Sequence, residues 1–305
     1  MLVIVCPGQG SQTPGFFTPW LEIPAFKETI ELASSSCGLD LTTFGTIADA
    51  DTIRDTAIAQ PLIVSASLAS FAALNTAGLT GVAGVAGHSV GELAAASIAG
   101  VFDTSTAMKL VVKRGSEMAD AAGISKSSMA AVLGGDRDEV VSHLQSLGLT
   151  PANYNGAGQI VAAGSAESIA LLTETPMTGT RVIPLQVAGA FHTNFMEPAV
   201  AELANFAAEI DAEDPNLKLW TNRDGSIIRS GSEYLHLLVN QVSNPVRWDL
   251  CMESMVAAGV TGLIELAPAG TLAGLAKRGM PGVETLALKG PDQIEAAIEL
   301  AKNHG

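Results

Sequence analysis

Ser89 stands in Gly87-His88-Ser89-Val90-Gly91, a G-x-S-x-G spacing. That spacing suits a sharp strand-to-helix turn with the serine held in a strained conformation at its tip. Glycines two residues to either side leave room for the turn. The apolar run 82–86 before it predicts a buried strand, and the Ala-rich run 92–99 after it predicts a helix stopped by Gly100. Helical N–H groups starting at Val90 would then point at an anion formed next to Ser89. A serine hydroxyl is a weak nucleophile until a base takes its proton. The chain offers five histidines. His88 adjoins Ser89 and is expected to point away from it at a tight turn. His143 falls mid-helix, His236 sits among leucines, and His304 lies at the C-terminal end. His192 follows Val187-Ala188-Gly189-Ala190-Phe191, a loop joining two different element patterns and a good place for a base, although judged alone it reads as a capping or satisfied loop histidine. Arg114 lies on a helix predicted over 104–119. Judged alone it reads as a solvated helix arginine.

Composition excludes several other kinds of chemistry. A net charge of −15 argues against nucleic acid as the main partner. Cys6, Cys37 and Cys251 are odd in number and widely spaced, form no metal or redox motif, and read as small buried hydrophobes in a reduced, cytoplasmic setting. The Gly-rich stretches contain no G-x-x-x-x-G-K-[ST]. Gly156-Ala157-Gly158 runs into a strand instead of a helix, so no nucleotide loop is expected. No apolar run reaches the roughly 18 residues of a membrane span, and Met1–Val5 reads as a buried strand.

The elements that must position these residues follow an α/β order. Strands are predicted at 3–6, 82–86, 217–221, 262–266 and 283–288, alternating with helices at 60–74, 92–99, 104–119, 194–210, 232–242, 248–258, 271–278 and 292–302. Such alternation implies a mainly parallel sheet covered on both faces. Between residues 126 and 190 the pattern changes. Strands at 129–133, 151–155, 159–163 and 181–185, with helices at 136–147 and 166–173, spell β-α-β-β-α-β, the ferredoxin-like signature. The expected organisation is a catalytic core of 1–125 and 191–305 with an inserted small subdomain at 126–190.

Taken together, several motifs resemble the malonyl-CoA:acyl carrier protein transacylases and the related acyltransferase domains of fatty-acid and polyketide synthases. They are Pro7-Gly8-Gln9-Gly10-Ser11-Gln12, Gln60-Pro61, Gly87 through Glu92, Arg114-Gly115, Asn153-Tyr154-Asn155-Gly156 through Gln159, Ala190-Phe191-His192, Gln241 with Asn244-Pro245-Val246, and Glu265 through Gly270. The resemblance covers essentially the whole chain and implies an α/β-hydrolase-like core with a ferredoxin-like subdomain. It implies Ser89 as nucleophile and His192 as base, with His192 oriented by the main-chain carbonyl of Gln241 instead of an Asp. It implies an oxyanion hole from the backbone N–H groups of Gln9 and Val90. Arg114 becomes the residue that binds a malonyl carboxylate, with Gln241, Asn155 and Phe191 also on the substrate side. Phe191 and Val90 are the malonyl-type choices over methylmalonyl.

The substrates implied are malonyl-CoA and the phosphopantetheine thiol of acyl carrier protein, in fatty-acid synthesis, with no metal, no cofactor, no membrane and a monomeric enzyme. Polyketide synthesis or malonate metabolism is an alternative setting. A serine hydrolase of related fold is the rival enzyme. An anionic carrier on so acidic a body needs a local basic patch, for which Lys277 and Arg278 are candidates.

Overall fold

A computed structural model describes the whole chain, Met1–Gly305. The strands in chain order are β1 Leu2–Cys6, β2 Val82–Gly87, β3 Ser127–Gly134, β4 Thr150–Gly156, β5 Gln159–Ser165, β6 Thr180–Pro184, β7 Lys218–Trp220, β8 Ile227–Ile228, β9 Gly262–Glu265 and β10 Glu284–Ala287. They form two sheets. The first has the order β10-β9-β1-β2-β7-β8. Its strands pair in parallel except β8, which runs antiparallel to β7. The second has the order β4-β5-β3-β6 and is antiparallel throughout. The expected α/β architecture, a parallel sheet plus a second smaller sheet, is the one observed.

β1 lies at the centre of the first sheet and is completely buried. Alternate side chains leave a strand on opposite faces. Accordingly Leu2, Ile4 and Cys6 enter one hydrophobic core, and Val3 and Val5 enter another on the reverse face. The continuous apolar run follows from having helices on both faces. The second sheet has a small core of its own, built from Ala130, Val132, Ile160 and Ala162 with Val140, Leu144, Ile169 and Leu172 of its two helices. β4 of the second sheet is tied to the loop before the Trp248–Ala257 helix, where the Tyr154 N–H donates to the Val246 carbonyl and the Val246 N–H to that of Ala152.

Some local readings need correction. Helices Pro24–Cys37 and Leu41–Thr46 were not anticipated. The first carried a legible signal: Pro24 at its start, Phe26, Ile30 and Ala33 on one face, and Gly38 at φ 71° as its stop. Residues 194–210 are not one helix. Thr193 caps a 3-10 turn at Asn194–Met196, and the α-helix proper is Glu197–Ala207. The helix expected at 60–74 begins at Thr56, where Asp55 accepts from the Ala57 N–H, and it continues to Thr76. At 21 residues with mean hydropathy 1.7 over its most apolar window, this helix does meet the length and composition of a membrane span. Yet 78% of that window is buried inside the protein, packed against the Pro24–Cys37 and Thr104–Ile124 helices. A helix apolar all round is what a core position demands.

Candidate active site

The turn after β2 is shaped by what cannot fit there. A β-carbon on Gly87 would overlap the backbone of Gly91 and Glu92, and one on Gly91 would overlap the Cys6 and Pro7 carbonyls at the end of β1. Between them Ser89 adopts φ 53°, a left-handed conformation costing a non-glycine residue about 1–3 kcal/mol. Asn222, just after β7, holds it there: its Oδ1 accepts from the Ser89 N–H at 2.8 Å and its Nδ2 donates to the Gly87 carbonyl at 2.8 Å. The helix Gly91–Ile98 starts immediately afterwards.

His192 is the second strained residue, at φ 61°; only one other non-glycine residue, Ala157, has positive φ. Its Nε2 lies 2.8 Å from Ser89 Oγ, and its Nδ1 lies 2.8 Å from the Gln241 main-chain carbonyl. A carbonyl oxygen only accepts, so the partners assign the proton to Nδ1 and leave Nε2 to accept from the serine. Burial, and then the charge of Arg114, push the imidazole pKa down to about 3. His192 is therefore neutral in the free protein at ordinary pH. An imidazole so depressed, taking the Ser89 proton, predicts that modification of Ser89 by an acylating reagent shows no histidine limb between pH 5 and 8. Replacing Arg114 by Ala removes one depressing charge and should move the limb upward. Stopped-flow acylation across that range checks it, and a limb near the ordinary 6.5 of a histidine would contradict it.

Arg114 is 2% exposed, which overturns its reading as a solvated helix arginine. Its NH1 donates to Gln60 Oε1 at 2.7 Å, and its NH2 donates to Gln241 Oε1 at 3.0 Å and to Ser89 Oγ at 3.4 Å. All three partners are neutral, and no carboxylate lies within ion-pairing distance. Burial lowers the guanidinium pKa to about 10, against the opposing pull of Glu92. A desolvated cation bounded by neutral oxygens favours an incoming anion.

These groups line a cleft of about 240 Å³. Gln9, Val90, Asn155 and Phe191 line it as well, with Met118 and Met129 among its apolar walls. The backbone N–H groups of Gln9 and Val90 have no acceptor within the protein. Gln241 does not face the cleft. It stands behind Arg114 and His192 and lines a separate cavity. His88 does not turn away. It lines the cleft beside Ser89, its Nε2 2.9 Å from Asn155 Oδ1 and its ring edge against Trp248. Gln60 could have been flagged as a polar residue in an otherwise apolar helix; Asn222 carried no comparable signal.

Nowhere do three or more His, Cys, Asp or Glu side chains converge in a set that could hold a metal ion. All three cysteines are free thiols; Cys6 and Cys251 are buried, and Cys37 is only half-buried. Lys277 and Arg278 are exposed at the end of the Thr271–Gly279 helix, whose first residues, Thr271 and Leu272, form part of the cleft wall.

Residues 3–295 match the acyl transferase domain family. The malonyl CoA-acyl carrier protein transacylase of Mycobacterium tuberculosis (strain ATCC 25618 / H37Rv) is 46% identical over 302 residues, covering 98% of this chain and 100% of that one. The crystal structure of MCAT from Mycobacterium tuberculosis superimposes with a TM-score of 0.93 at 47% identity, covering 99% of both chains. A type II PKS acyl-carrier protein in complex with its malonyl-transacylase gives 0.93 at 30% identity, covering 98% of this chain and 99% of that one.

Proposed function

The chain belongs to the acyl transferase domain family, and from that premise and the geometry of its cleft we infer that it is a malonyl-CoA:acyl carrier protein transacylase working through a malonyl-serine. The observation that carries the reading is a buried arginine 3.4 Å from the hydroxyl that His192 contacts. A malonyl ester on Ser89 has its carboxylate only two C–C bonds beyond the ester carbon, within reach of that guanidinium. An acetyl ester has nothing to offer it.

Each half-reaction uses the same groups. His192 Nε2 takes the Ser89 proton as Oγ attacks the thioester carbon. The C=O electron pair moves onto oxygen, where the N–H groups of Gln9 and Val90 receive it; one such donor is worth about 10²–10³ in rate. The tetrahedral centre collapses, the C–S bond breaks, and the CoA sulfur leaves with the proton from His192. The pantetheine thiol of the carrier then reverses the sequence, losing its proton to His192 and displacing Ser89. The enzyme itself supplies every proton transfer, and we assign it no cofactor. Residues 126–190 act in this reading as a small subdomain closing one side of the cleft.

We place the enzyme in a reduced cytoplasm, as a monomer supplying malonyl units to fatty-acid synthesis. A polyketide carrier is the second reading, favoured by the likeness to the PKS carrier complex. The test is intact-mass analysis. With malonyl-CoA alone the protein should gain one malonyl group, located on Ser89 by peptide mapping, and should lose it when a thiol carrier is added. Offering fatty-acid and polyketide carriers to the same malonyl-enzyme compares the two readings. Steady release of malonate without an accumulating adduct would identify a hydrolase instead.

Lys277 and Arg278 are our assignment for part of the carrier-docking patch, since neither has an acidic partner and their helix starts at the cleft. Reversing both charges should raise the KM for an acidic carrier by about tenfold or more and leave that for malonyl-CoA in place. Unchanged carrier kinetics would remove the assignment.

A further inference from the structure

Behind the reacting groups lies a carboxyl that the transfer steps do not use. Glu92 sits in the first turn of the Gly91–Ile98 helix and is 1% exposed. One oxygen accepts from the Asn222 N–H at 2.6 Å, and the other accepts from Gln241 Nε2. Gln241 in turn presents Oε1 to Arg114 NH2 at 3.0 Å, while its main-chain carbonyl holds His192 Nδ1. Asn222 Oδ1 accepts from both the Ser89 N–H and Gln241 Nε2, the latter at 3.2 Å.

We propose that Glu92 is a positioning residue for substrate recognition: through the side-chain amide of Gln241 it fixes the orientation in which Arg114 meets the substrate carboxylate. This rests on reading Arg114 as the carboxylate clamp. The two ends of an amide have nearly the same shape, so hydrogen-bond partners decide which end points where. With both Glu92 oxygens accepting, the Gln241 nitrogen must face Glu92 and its oxygen must face Arg114. Gln60 Oε1 on NH1 completes the bracket, leaving the guanidinium fixed between two amide oxygens. Burial pushes the Glu92 carboxyl up to about 8. The Asn222 N–H, and then the Tyr234 hydroxyl, pull the other way by favouring the carboxylate.

A glutamine at position 92 has the same shape but only one acceptor for two incoming N–H groups. Either the Asn222 N–H is orphaned, or Gln241 turns over and sets its NH2 against the guanidinium, donor against donor.

The experiment compares wild type, Glu92→Gln, Gln241→Met and the double variant. Thermal unfolding is followed, with the rate of Ser89 malonylation by malonyl-CoA and the rate of Ser89 modification by a neutral sulfonyl fluoride. The fluoride carries no carboxylate for Arg114 to hold, so it reads the serine and its base apart from carboxylate recognition. In each single variant malonylation should fall by about tenfold or more while labelling stays within about threefold. The double variant should be no slower than the slower single, because both changes cut the same link. Malonylation of folded Glu92→Gln within twofold of wild type would overturn the proposal, as would equal losses in both rates or single effects that multiply. If Glu92→Gln does not fold, Gln241→Met decides, and undiminished malonylation there removes the idea. A wild type that cannot be malonylated sinks the functional reading itself, whereas a wild type that is malonylated beside unaffected variants sinks only the role of Glu92.

Discussion

Ser89→Ala should gain no malonyl mass on incubation with malonyl-CoA, at any concentration or time at which the wild type is fully acylated. The substitution removes the one atom that forms the ester. In serine enzymes where nucleophile and base act as a unit, removing the nucleophile costs about 10⁶ in turnover. The protein should stay folded. Alanine meets the same φ 53° strain as serine, and the bonds from Asn222 to the turn involve main-chain groups that remain. Circular dichroism and thermal unfolding should therefore match wild type within a few degrees. A malonyl adduct formed by this variant at wild-type yield would mean that another residue carries the acyl group.

Arg114→Ala should change selectivity more than overall activity. Two effects act in opposite directions on two substrates. Malonyl loading loses charge-assisted hydrogen bonds worth about 1.5–3 kcal/mol each, or roughly 10²–10⁴ for a bidentate pair. Acetyl loading is relieved of a penalty, since no desolvated guanidinium is left facing a methyl group. The ratio of malonyl to acetyl loading should therefore fall by about 10³ or more and approach one, or invert. A structural arginine would behave otherwise: truncation beside Gln60 and Gln241 would lower stability and slow both substrates by one factor. Parallel loading assays with the two thioesters, on protein verified to be folded, separate these cases. An unchanged ratio would remove the carboxylate clamp.

Several features of the fold could be read directly because local pattern and tertiary role coincide in them. β1 is apolar at every position and is buried on both faces. The β-α-β-β-α-β pattern appears as the four-stranded antiparallel sheet of β3 to β6, Ser127–Pro184. The expectation that no segment reaches a membrane span shows the limit: the 56–76 helix does reach it, and apolar residues all round a long helix are equally what a bilayer or a protein core selects, so that only the packing partners distinguish them. Likewise residues 24–37 held a start, a stripe and a stop, but the Ser34-Ser35-Ser36 run near its end weakened the helical pattern.

The amino-acid sequence by itself determined which groups are available and where the chain must turn tightly. Gly87 and Gly91 around Ser89 are a local steric requirement, and a local requirement is written in local spacing. Tertiary structure alone decided which groups meet. His192 lies 103 positions from Ser89, Gln241 lies 127 from Arg114, and Asn222 lies 133 from Ser89. No periodicity links residues that far apart; they are joined because helix starts and loops from separate parts of the chain converge at the C-terminal ends of β1, β2 and β7. Burial was also invisible in advance. Arg114 reads as a surface residue from its helix alone, and it is buried only because the Thr56–Thr76 helix, Gln241 and the Ser89 turn close over it. The difference is one of dielectric. A guanidinium in water already has its hydrogen bonds, whereas the same group desolvated among neutral oxygens selects for an anion.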